Sequence, residues 1–191
     1  MSGGKAALGG VRIEEWQPEA GNPHAVEDDV QMLGDVLHAT VHAGAGVSFF
    51  VPFSIDQAGA FWREKVLPAV RAGTRRVLVA RSDPRIVGTV QLDLAVPPNQ
   101  RHRAEVTKML VHPTMRRRGI GRALMLALEP IALSEQRTLL TLDTVTGSPA
   151  EPLYLSLGYI PVGVIPNYAR SSLTPELEAA TIMYKELKQS R

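Results

Sequence analysis

Cysteine is absent from this chain of 191 residues. Its absence excludes disulfide bonds, thiolate metal sites and a cysteine nucleophile. No apolar run reaches the roughly 18 residues that a membrane-spanning helix requires. The first ten residues, MSGGKAALGG, have too short an apolar segment for a signal peptide and are predicted to be a flexible terminus. We therefore expect a cytoplasmic protein with no membrane partner.

A strong excess of either charge is also missing. The chain has 21 Lys and Arg against 19 Asp and Glu, and its formal net charge is +2. A protein that binds nucleic acid usually carries a larger basic excess along one face, so we expect no nucleic-acid partner. The positive charge is instead concentrated in the segment RRRGIGR, which favours a small polyanion. The length and the 45% hydrophobic content predict one domain, which we place at residues 11–191.

Hydrophobic periodicity predicts a mixed order of strands and helices. Helices are predicted at residues 25–42, 54–72, 120–131 and 148–157. The predicted strands are GVRIEEW, RRVLVAR, RIVGTVQLDL, AEVTKMLV, TLLTLDT, YIPVGV and AATIMYKEL. Because a helix connects AEVTKMLV to TLLTLDT, these two strands should be parallel neighbours. The predicted class is therefore α/β (α+β), with one mixed central sheet of about seven strands flanked on both faces by about four helices.

Three local features carry more specific predictions. Ser148 is predicted to be the N-cap of the fourth helix, with Pro149 at its first position. Pro130 should produce a kink or a bulge in the third helix. The segment IPNYARSS is predicted to be a loop between the last two strands.

The segment VTKMLVHPTMRRRGIGRAL surrounds two glycines with four arginines at the start of the third helix. A helix N-terminus offers unpaired N–H groups and a partial positive charge, and both attract anions. Glycine lets the backbone approach a phosphate closely. One interpretation is a pyrophosphate cradle; the alternative is a solvated basic turn. The dinucleotide fingerprint and the P-loop are both excluded, because the third glycine and the Gly-Lys-Ser/Thr sequence are missing.

The stretch VHPTMRRRGIGRALM resembles the acetyl-CoA-binding motif of the GNAT N-acetyltransferases, Q/R-x-x-G-x-G/A. The segment LLTLDTVTGSPAEPLYLSLGYIPVGVIPNYA is similar to the tabtoxin-resistance acetyltransferases of that superfamily, and the resemblance extends over residues 48–187. It implies the GNAT fold, acetyl-CoA as the cosubstrate, no metal, a small amine as substrate, and a monomer or homodimer. The cofactor-binding residues that it implies are Met109, Leu110, Val111, Arg116, Arg117, Arg118, Gly119, Ile120, Gly121, Arg122 and Ala123.

Glu105 is the candidate general base that would deprotonate an attacking amine. It lies in AEVTKMLV, where a central strand would normally be apolar, and strict alternation puts it on the same face as Met109. Six steps of ~3.3 Å separate it from Val111, or about 20 Å, which is comparable with an extended pantetheine arm. The alternative is a salt bridge from Glu105 to Lys108 or Arg103.

The resemblance assigns two further catalytic residues. Asp143 would be the second acidic residue of the base pair, and Tyr154 would protonate the leaving thiolate, while the Met109 N–H would stabilise the oxyanion. From the residues alone, Asp143 could instead bind a loop N–H group or the substrate amine. Tyr154 could equally be a core aromatic residue.

The acceptor site is predicted from two segments outside the catalytic strands. Phe50, in the apolar loop FFVPF, is expected to wall the acceptor site, although the loop could simply pack beneath the second helix. Tyr168 is expected to cap the site from the other side. His38 and His42 lie four residues apart, but no third ligand is visible, so no metal site is predicted.

The leading functional hypothesis is an acetyl-CoA-dependent N-acetyltransferase acting on a small amine. One alternative is a non-catalytic acyl-CoA sensor that retains the cofactor cradle. Another is an acetyltransferase that modifies a protein N-terminus or lysine, which would need an open groove. A nucleic-acid-binding module is the least consistent with the near-neutral charge.

Overall fold

The computed structural model describes residues 9–18 and 22–188, and seven of its strands form one mixed sheet in the order β1-β2-β3-β4-β5-β7-β6. The strands are β1 (Arg12–Glu15), β2 (Arg75–Ser82), β3 (Arg85–Asp93), β4 (Arg103–Val111), β5 (Leu139–Val145), β6 (Ile160–Arg170) and β7 (Leu177–Glu186). The helices are α1 (Pro23–His42), α2 (Ile55–Phe61), α3 (Leu67–Arg71), α4 (Ile120–Ser134) and α5 (Glu151–Ser156). A π-helical turn, Trp62–Val66, joins α2 directly to α3. With α2 and α3 counted as one helix, the predicted fold class is confirmed.

Two further expectations concern the N-terminus and membrane-spanning helices. Residues 1–8 of the predicted flexible terminus lie outside the described residues. No helix in the described part of the chain is long and apolar enough to cross a membrane.

The second helical region begins where the sequence predicts, with Ser54 as its N-cap, and α1 begins at Pro23, two residues before its predicted start. Asn22 caps α1 by accepting a hydrogen bond from the Ala25 N–H at 2.8 Å. Ser54 and Gln57 form a reciprocal capping box at the start of α2. Each pair satisfies N–H groups that would otherwise lack an acceptor, so these sequences determine the helix starts locally.

The predicted kink or bulge at Pro130 is not a bulge, and the helix bulge that the structure contains lies near another proline. The structure has no bulge at Pro130, and α4 continues as an α-helix on both sides of it. The carbonyl that loses its partner belongs to Leu126, which is 47% exposed, so water can replace the missing N–H. The π-helical turn lies instead just before Pro68, which cannot donate to the carbonyl of Glu64.

The predicted start of the fourth helix is wrong. α5 begins at Glu151 with Ala150 as its N-cap, and neither Ser148 nor Pro149 belongs to it. The Ser148 hydroxyl instead forms a hydrogen bond with Thr144 at 3.1 Å. The Glu151 carboxylate accepts from the Gly147 N–H at 2.6 Å. Because Ser148 is held by the end of β5, it is not available to cap the helix.

The prediction that IPNYARSS forms a loop is wrong for residues 165–170, which belong to β6. β6 extends to Arg170 and pairs antiparallel with β7 through a register shift between Ile165 and Ala169. The irregularity accommodates Pro166, and β6 is an edge strand, where a missing N–H is tolerated. The extension brings Tyr168 into the sheet.

The sheet separates two hydrophobic clusters. One cluster lies on the face covered by α4 and α5 and includes Leu92, Leu124, Leu128, Leu140 and Tyr154. The other lies on the face covered by α1, α2 and the π-helical turn and includes Leu33, Leu37, Trp62, Val79 and Leu110. A strand residue that belongs to one of these clusters therefore points to the face of the sheet on which that cluster lies.

Strand β4 loses its partner on one side halfway along its length. It pairs in parallel with β5 only from Arg103 to Glu105, opposite Leu139 to Thr141. Beyond Glu105, no described strand pairs with that edge of β4. The predicted parallel pairing is confirmed, and its early end leaves an open mouth between the two strands.

A β-bulge reverses the faces of the second half of β4. The register with β3 shifts between Thr89 and Gln91, and Lys108 has a φ of +50°. Ala104 and Val106 belong to the α4-side cluster, so Glu105 between them points to the α1 side. Met109 packs against the α4-side cluster. The predicted common face for Glu105 and Met109 is therefore wrong, because the bulge inserts one residue into the alternation.

Candidate active site

Two carboxylates lie where the mouth between β4 and β5 opens. Glu105 is the last paired residue of β4, opposite Thr141. Asp143 lies two residues beyond Thr141 and on the same face of the sheet, because Leu140 and Leu142, which alternate with these two residues, both pack on the α4 side. Within the described residues, neither carboxylate forms a hydrogen bond or an ion pair. Both are therefore free to accept a proton or to bind a cation.

The alternative of a salt bridge to Glu105 is not seen. The Arg103 guanidinium donates to Gln100 and, at 2.9 Å, to the Thr141 hydroxyl. The Lys108 ammonium donates to the Ser48 hydroxyl at 3.2 Å. The two cations nearest in sequence to Glu105 are thus directed to other partners.

The charge of Asp143 raises the pKa of both tyrosines that the sequence analysis places in the site, Tyr154 and Tyr168. Burial raises the pKa of the Tyr154 phenol, and the Asp143 carboxylate raises it further. The pKa of Tyr168 is raised chiefly by Asp143, then by burial and by Glu105. Tyr154 and Tyr168 therefore both lie within electrostatic range of Asp143, and Tyr168 also lies within range of Glu105.

Tyr154 is a core residue that lies within electrostatic range of Asp143. Its side chain is 6% exposed, and its ring lies 5.8 Å from that of Tyr159, measured between centroids. Its hydroxyl makes no hydrogen bond with any residue that the structure describes. A phenol is protonated at neutral pH, and the raised pKa of Tyr154 keeps it so, so the hydroxyl can act as a donor.

The N-terminus of α4 has the features of an anion site. Gly119 is its N-cap, with a φ of +78°, and no side chain caps the helix. Ala123 is the first residue whose N–H bonds back, to the Gly119 carbonyl at 3.0 Å. The N–H groups of residues 118–122 have no acceptor within the described chain, so several backbone donors are available to a phosphate.

The arginines of this segment divide into two pairs. Arg116 donates through Nε to the Val111 carbonyl at 3.3 Å, and Arg122 donates to the Ser156 hydroxyl at 3.1 Å. The guanidinium groups of Arg117 and Arg118 have no hydrogen-bond partner among the described residues. The first pair therefore connects the segment to β4 and α5, and the second pair is available to an anion.

Gly121 faces inward rather than towards an anion. A Cβ atom at this position would lie 3.3 Å from the Met109 sulfur and 3.3 Å from a methyl of Leu153. This glycine therefore lets α4 pack closely against both β4 and α5. Any larger residue here would push on the helix that carries Tyr154.

The loop between α1 and α2 lies over the α1-side face of the mouth. It forms one wall of a groove of about 430 Å³, whose other wall is α2 and the π-helical turn. Phe50 lines this groove and is 60% exposed. Phe49 packs against Phe53 at 4.7 Å and Phe61 at 5.2 Å, between ring centroids. Phe49 and Phe53 thus support the packing alternative. Phe50 is available to a ligand in this groove, but none of Glu105, Asp143, Tyr154 and Tyr168 lines it.

Sequence reasoning missed the position of Lys108. It considered Lys108 only as a salt-bridge partner, but the bulge places its ammonium on the α1 side with Glu105, 5.9 Å from the ring centroids of Phe49 and Phe61. The sequence feature that could have revealed this position is a lysine inside a predicted central strand, where apolar residues are normal.

No metal centre is found in the part of the chain that the structure describes. The rings of His38 and His42 lie 4.2 Å apart, but no group of three potential metal-binding side chains is present among those residues.

Comparison with known proteins identifies the family. The model of the Acetyltransferase (GNAT) family matches residues 45–159, which is more than half of the chain. This protein belongs to the GNAT acetyltransferase family.

Solved structures share the fold over nearly the full chain. The yncA protein of Salmonella typhimurium, whose structure contains its cofactor acetyl-CoA, has a TM-score of 0.73 at 17% identity, covering 95% of this chain and 96% of that one. A ribosomal-protein-alanine N-acetyltransferase from Brucella melitensis has a TM-score of 0.74 at 20% identity, covering 92% and 99%. A GCN5-related N-acetyltransferase from Kribbella flavida has a TM-score of 0.71 at 22% identity, covering 93% and 98%.

Proposed function

We propose that this protein is an N-acetyltransferase that moves the acetyl group of acetyl-CoA to the amine of a small molecule by direct attack. One observation carries the proposal. The pairing of β4 with β5 ends at Glu105, and the open edge runs from two unpaired carboxylates to the unpaired N–H groups at the start of α4. A thioester held along that edge would have a base at one end and a phosphate site at the other.

The cosubstrate site consists mainly of backbone. The N–H groups and arginines of residues 116–123 bind the pyrophosphate, and the open edge of β4 at Met109, Leu110 and Val111 pairs with the pantetheine amides. The acetyl-CoA in the Salmonella yncA structure supports this assignment, because that protein shares the fold.

The chain's own residues supply three steps of the reaction. Glu105, with Asp143 as its partner, accepts a proton from the amine directly or through water. As the amine nitrogen bonds to the carbonyl carbon, the Met109 N–H donates a hydrogen bond to the developing oxyanion. When the carbon–sulfur bond breaks, the Tyr154 hydroxyl gives its proton to the thiolate.

The acceptor is a small amine bound between Phe50 and Tyr168. The loop that carries Phe50 is tied to the segment after β6 by the Val51 N–H, which donates to the Ser172 carbonyl at 2.9 Å, and it covers the mouth from the α1 side. The similarity of LLTLDTVTGSPAEPLYLSLGYIPVGVIPNYA to tabtoxin-resistance acetyltransferases supports a small acceptor. The lack of cysteine supports a cytoplasmic location.

A panel of amines with acetyl-CoA, assayed by release of free thiol, tests the proposal. We expect thiol release that depends on a small amine. If acetyl-CoA binds by calorimetry but no amine releases thiol, the protein is an acyl-CoA sensor. If only a peptide N-terminus or a protein lysine is acetylated, the acceptor assignment is wrong, although the transferase assignment remains.

A further inference from the structure

Lys108 occupies an unusual position in the mouth. The bulge gives it a φ of +50°, which few non-glycine residues adopt. Its ammonium donates to the Ser48 hydroxyl at 3.2 Å and lies 5.9 Å from the ring centroids of Phe49 and Phe61. Backbone strain of this kind is concentrated at functional sites, and here it directs a cation to the face where the acceptor would bind.

The ammonium of Lys108 has no ion-pair partner within the described residues. Other cations on this face are occupied, since Arg75 forms an ion pair with Asp93 and also donates to Gln91 at 3.2 Å. A Lys ammonium has three donors, and only one is used. Burial lowers the pKa of Lys108, whereas the charges of Asp143 and Glu105 raise it. A partly buried, incompletely bonded cation is stabilised when an anion binds to it.

We propose that Lys108 binds the carboxylate of the acceptor, so that the preferred acceptor is a free amino acid. This inference rests on the proposed N-acetyltransferase activity. Glu105 and Asp143 suit the acceptor's amine, and Lys108, three residues further along β4, suits a carboxylate near that amine. The face therefore presents negative and positive groups in the arrangement that a zwitterion complements.

The same geometry disfavours a protein substrate. The N-terminal residue of a polypeptide has an amide where a free amino acid has a carboxylate. Such a chain would place a neutral amide where Lys108 could bind a carboxylate, so the ammonium would gain no charge-assisted hydrogen bond from the acceptor. Lys108 is therefore a specificity-determining residue and takes no part in proton transfer.

The test compares each standard L-amino acid with its carboxamide as an acceptor. The two amines differ in basicity, so the measured quantity is the change in the ratio of their kcat/KM values on mutation. We expect Lys108→Met to lower the ratio of acid to amide by about tenfold or more, through a higher KM for the acid, as the loss of one charge-assisted hydrogen bond would produce. Lys108→Arg should restore part of the ratio.

Lys188→Met is the matched control, because Lys188 is exposed and follows β7 at the end of the sheet remote from Asp143. The ratio of kcat/KM for acid to kcat/KM for amide in this variant should equal that of the wild type.

If the wild type acetylates carboxamides or alkylamines but no free amino acid, Lys108 does not select a carboxylate, although the transferase activity stands. An equal loss for acid and amide in Lys108→Met would also overturn the proposal. If no amine is acetylated while acetyl-CoA still binds, both this inference and the proposed function are wrong.

Discussion

The two ends of β4 are built in different ways. At its C-terminal end, the proposed cradle comprises residues 116–123 and is continuous in sequence. At the other end, the proposed acceptor side comprises Glu105, Lys108 and Asp143 together with the loop that carries Phe50. Its parts come from distant segments, since the bond from Lys108 to Ser48 spans 60 residues. The structure of the C-terminal end can therefore be predicted from a short stretch of sequence, whereas the arrangement of the acceptor side depends on the tertiary fold.

The two ends also use different chemical groups. The cradle uses backbone N–H groups, whose positions follow once a helix starts at Ile120 with Gly119 before it. The acceptor side uses side chains whose directions depend on the pairing of β3 with β4. Substitutions at the acceptor end should therefore change turnover and acceptor choice, while substitutions in the cradle should change affinity for acetyl-CoA.

The largest effect is expected from Glu105→Gln. Removing the base should lower kcat near neutral pH by about 10²-fold or more, the usual size of general-base catalysis, with acetyl-CoA affinity nearly intact by calorimetry. Activity should partly return at high pH, where the amine loses its proton unaided. Glu186→Gln, at the exposed end of β7, is the control and should retain full activity. An equal loss at every pH would indicate positioning, and no loss would leave Asp143 as the base.

The second effect tests the cradle. Gly119→Val places a β-branched residue at a φ of +78°, which costs roughly 1–2 kcal/mol, and adds a side chain beside the N–H groups. The Kd for acetyl-CoA should rise by about tenfold or more. Gly73→Val is the matched control, because Gly73 also has a positive φ, +68°, with nothing near its Cβ position, and it lies far from the cradle. Normal acetyl-CoA binding by Gly119→Val would refute the cradle.

The third effect separates catalysis from packing at Tyr154. Tyr154→Phe keeps the ring, so the free energy of unfolding should change by no more than about 1 kcal/mol, while turnover falls because the proton donor is lost. Tyr154→Ala should destabilise the fold by about 3–5 kcal/mol. Rate and Tm are measured on both variants.

Tyr159→Phe is the control for this pair. The Tyr159 hydroxyl is buried with no hydrogen-bond partner among the described atoms, so removing it should not lower turnover or stability. Unchanged turnover in Tyr154→Phe would remove Tyr154 from the mechanism.

The smallest effect is expected from Arg118→Gln. If backbone groups supply most of the binding, removing one exposed guanidinium should weaken acetyl-CoA binding by only about threefold, in line with an exposed ion pair. The difference from wild type should shrink at high salt, because screening weakens exposed charges. A loss as large as that of Gly119→Val would mean that side chains dominate the cradle.

Much of the fold and part of the site could be predicted from sequence. Ser54 and Gln57 determine the start of α2 through their own hydrogen bonds, and the helix between β4 and β5 forces those strands to be parallel. The segment RRRGIGR predicts a helix start rich in N–H donors, because glycine and the helix geometry act over a few residues. Its role in binding acetyl-CoA stays a prediction, as do the catalytic roles of Glu105 and Tyr154.

Tertiary structure alone decided the arrangement of the acceptor side. The alternation of AEVTKMLV predicts Glu105 and Met109 on one face, but pairing with β3 inserts a bulge at Lys108 and separates them. Pairing with β7 likewise extends β6 as far as Tyr168. A period of two residues contains no information about where a partner strand shifts register, because that shift is chosen by the combined packing of both faces. The sequence therefore determined the order of the elements and the helix start at Ile120, and long-range packing decided the extent of β6 and which side chains of β4 share a face.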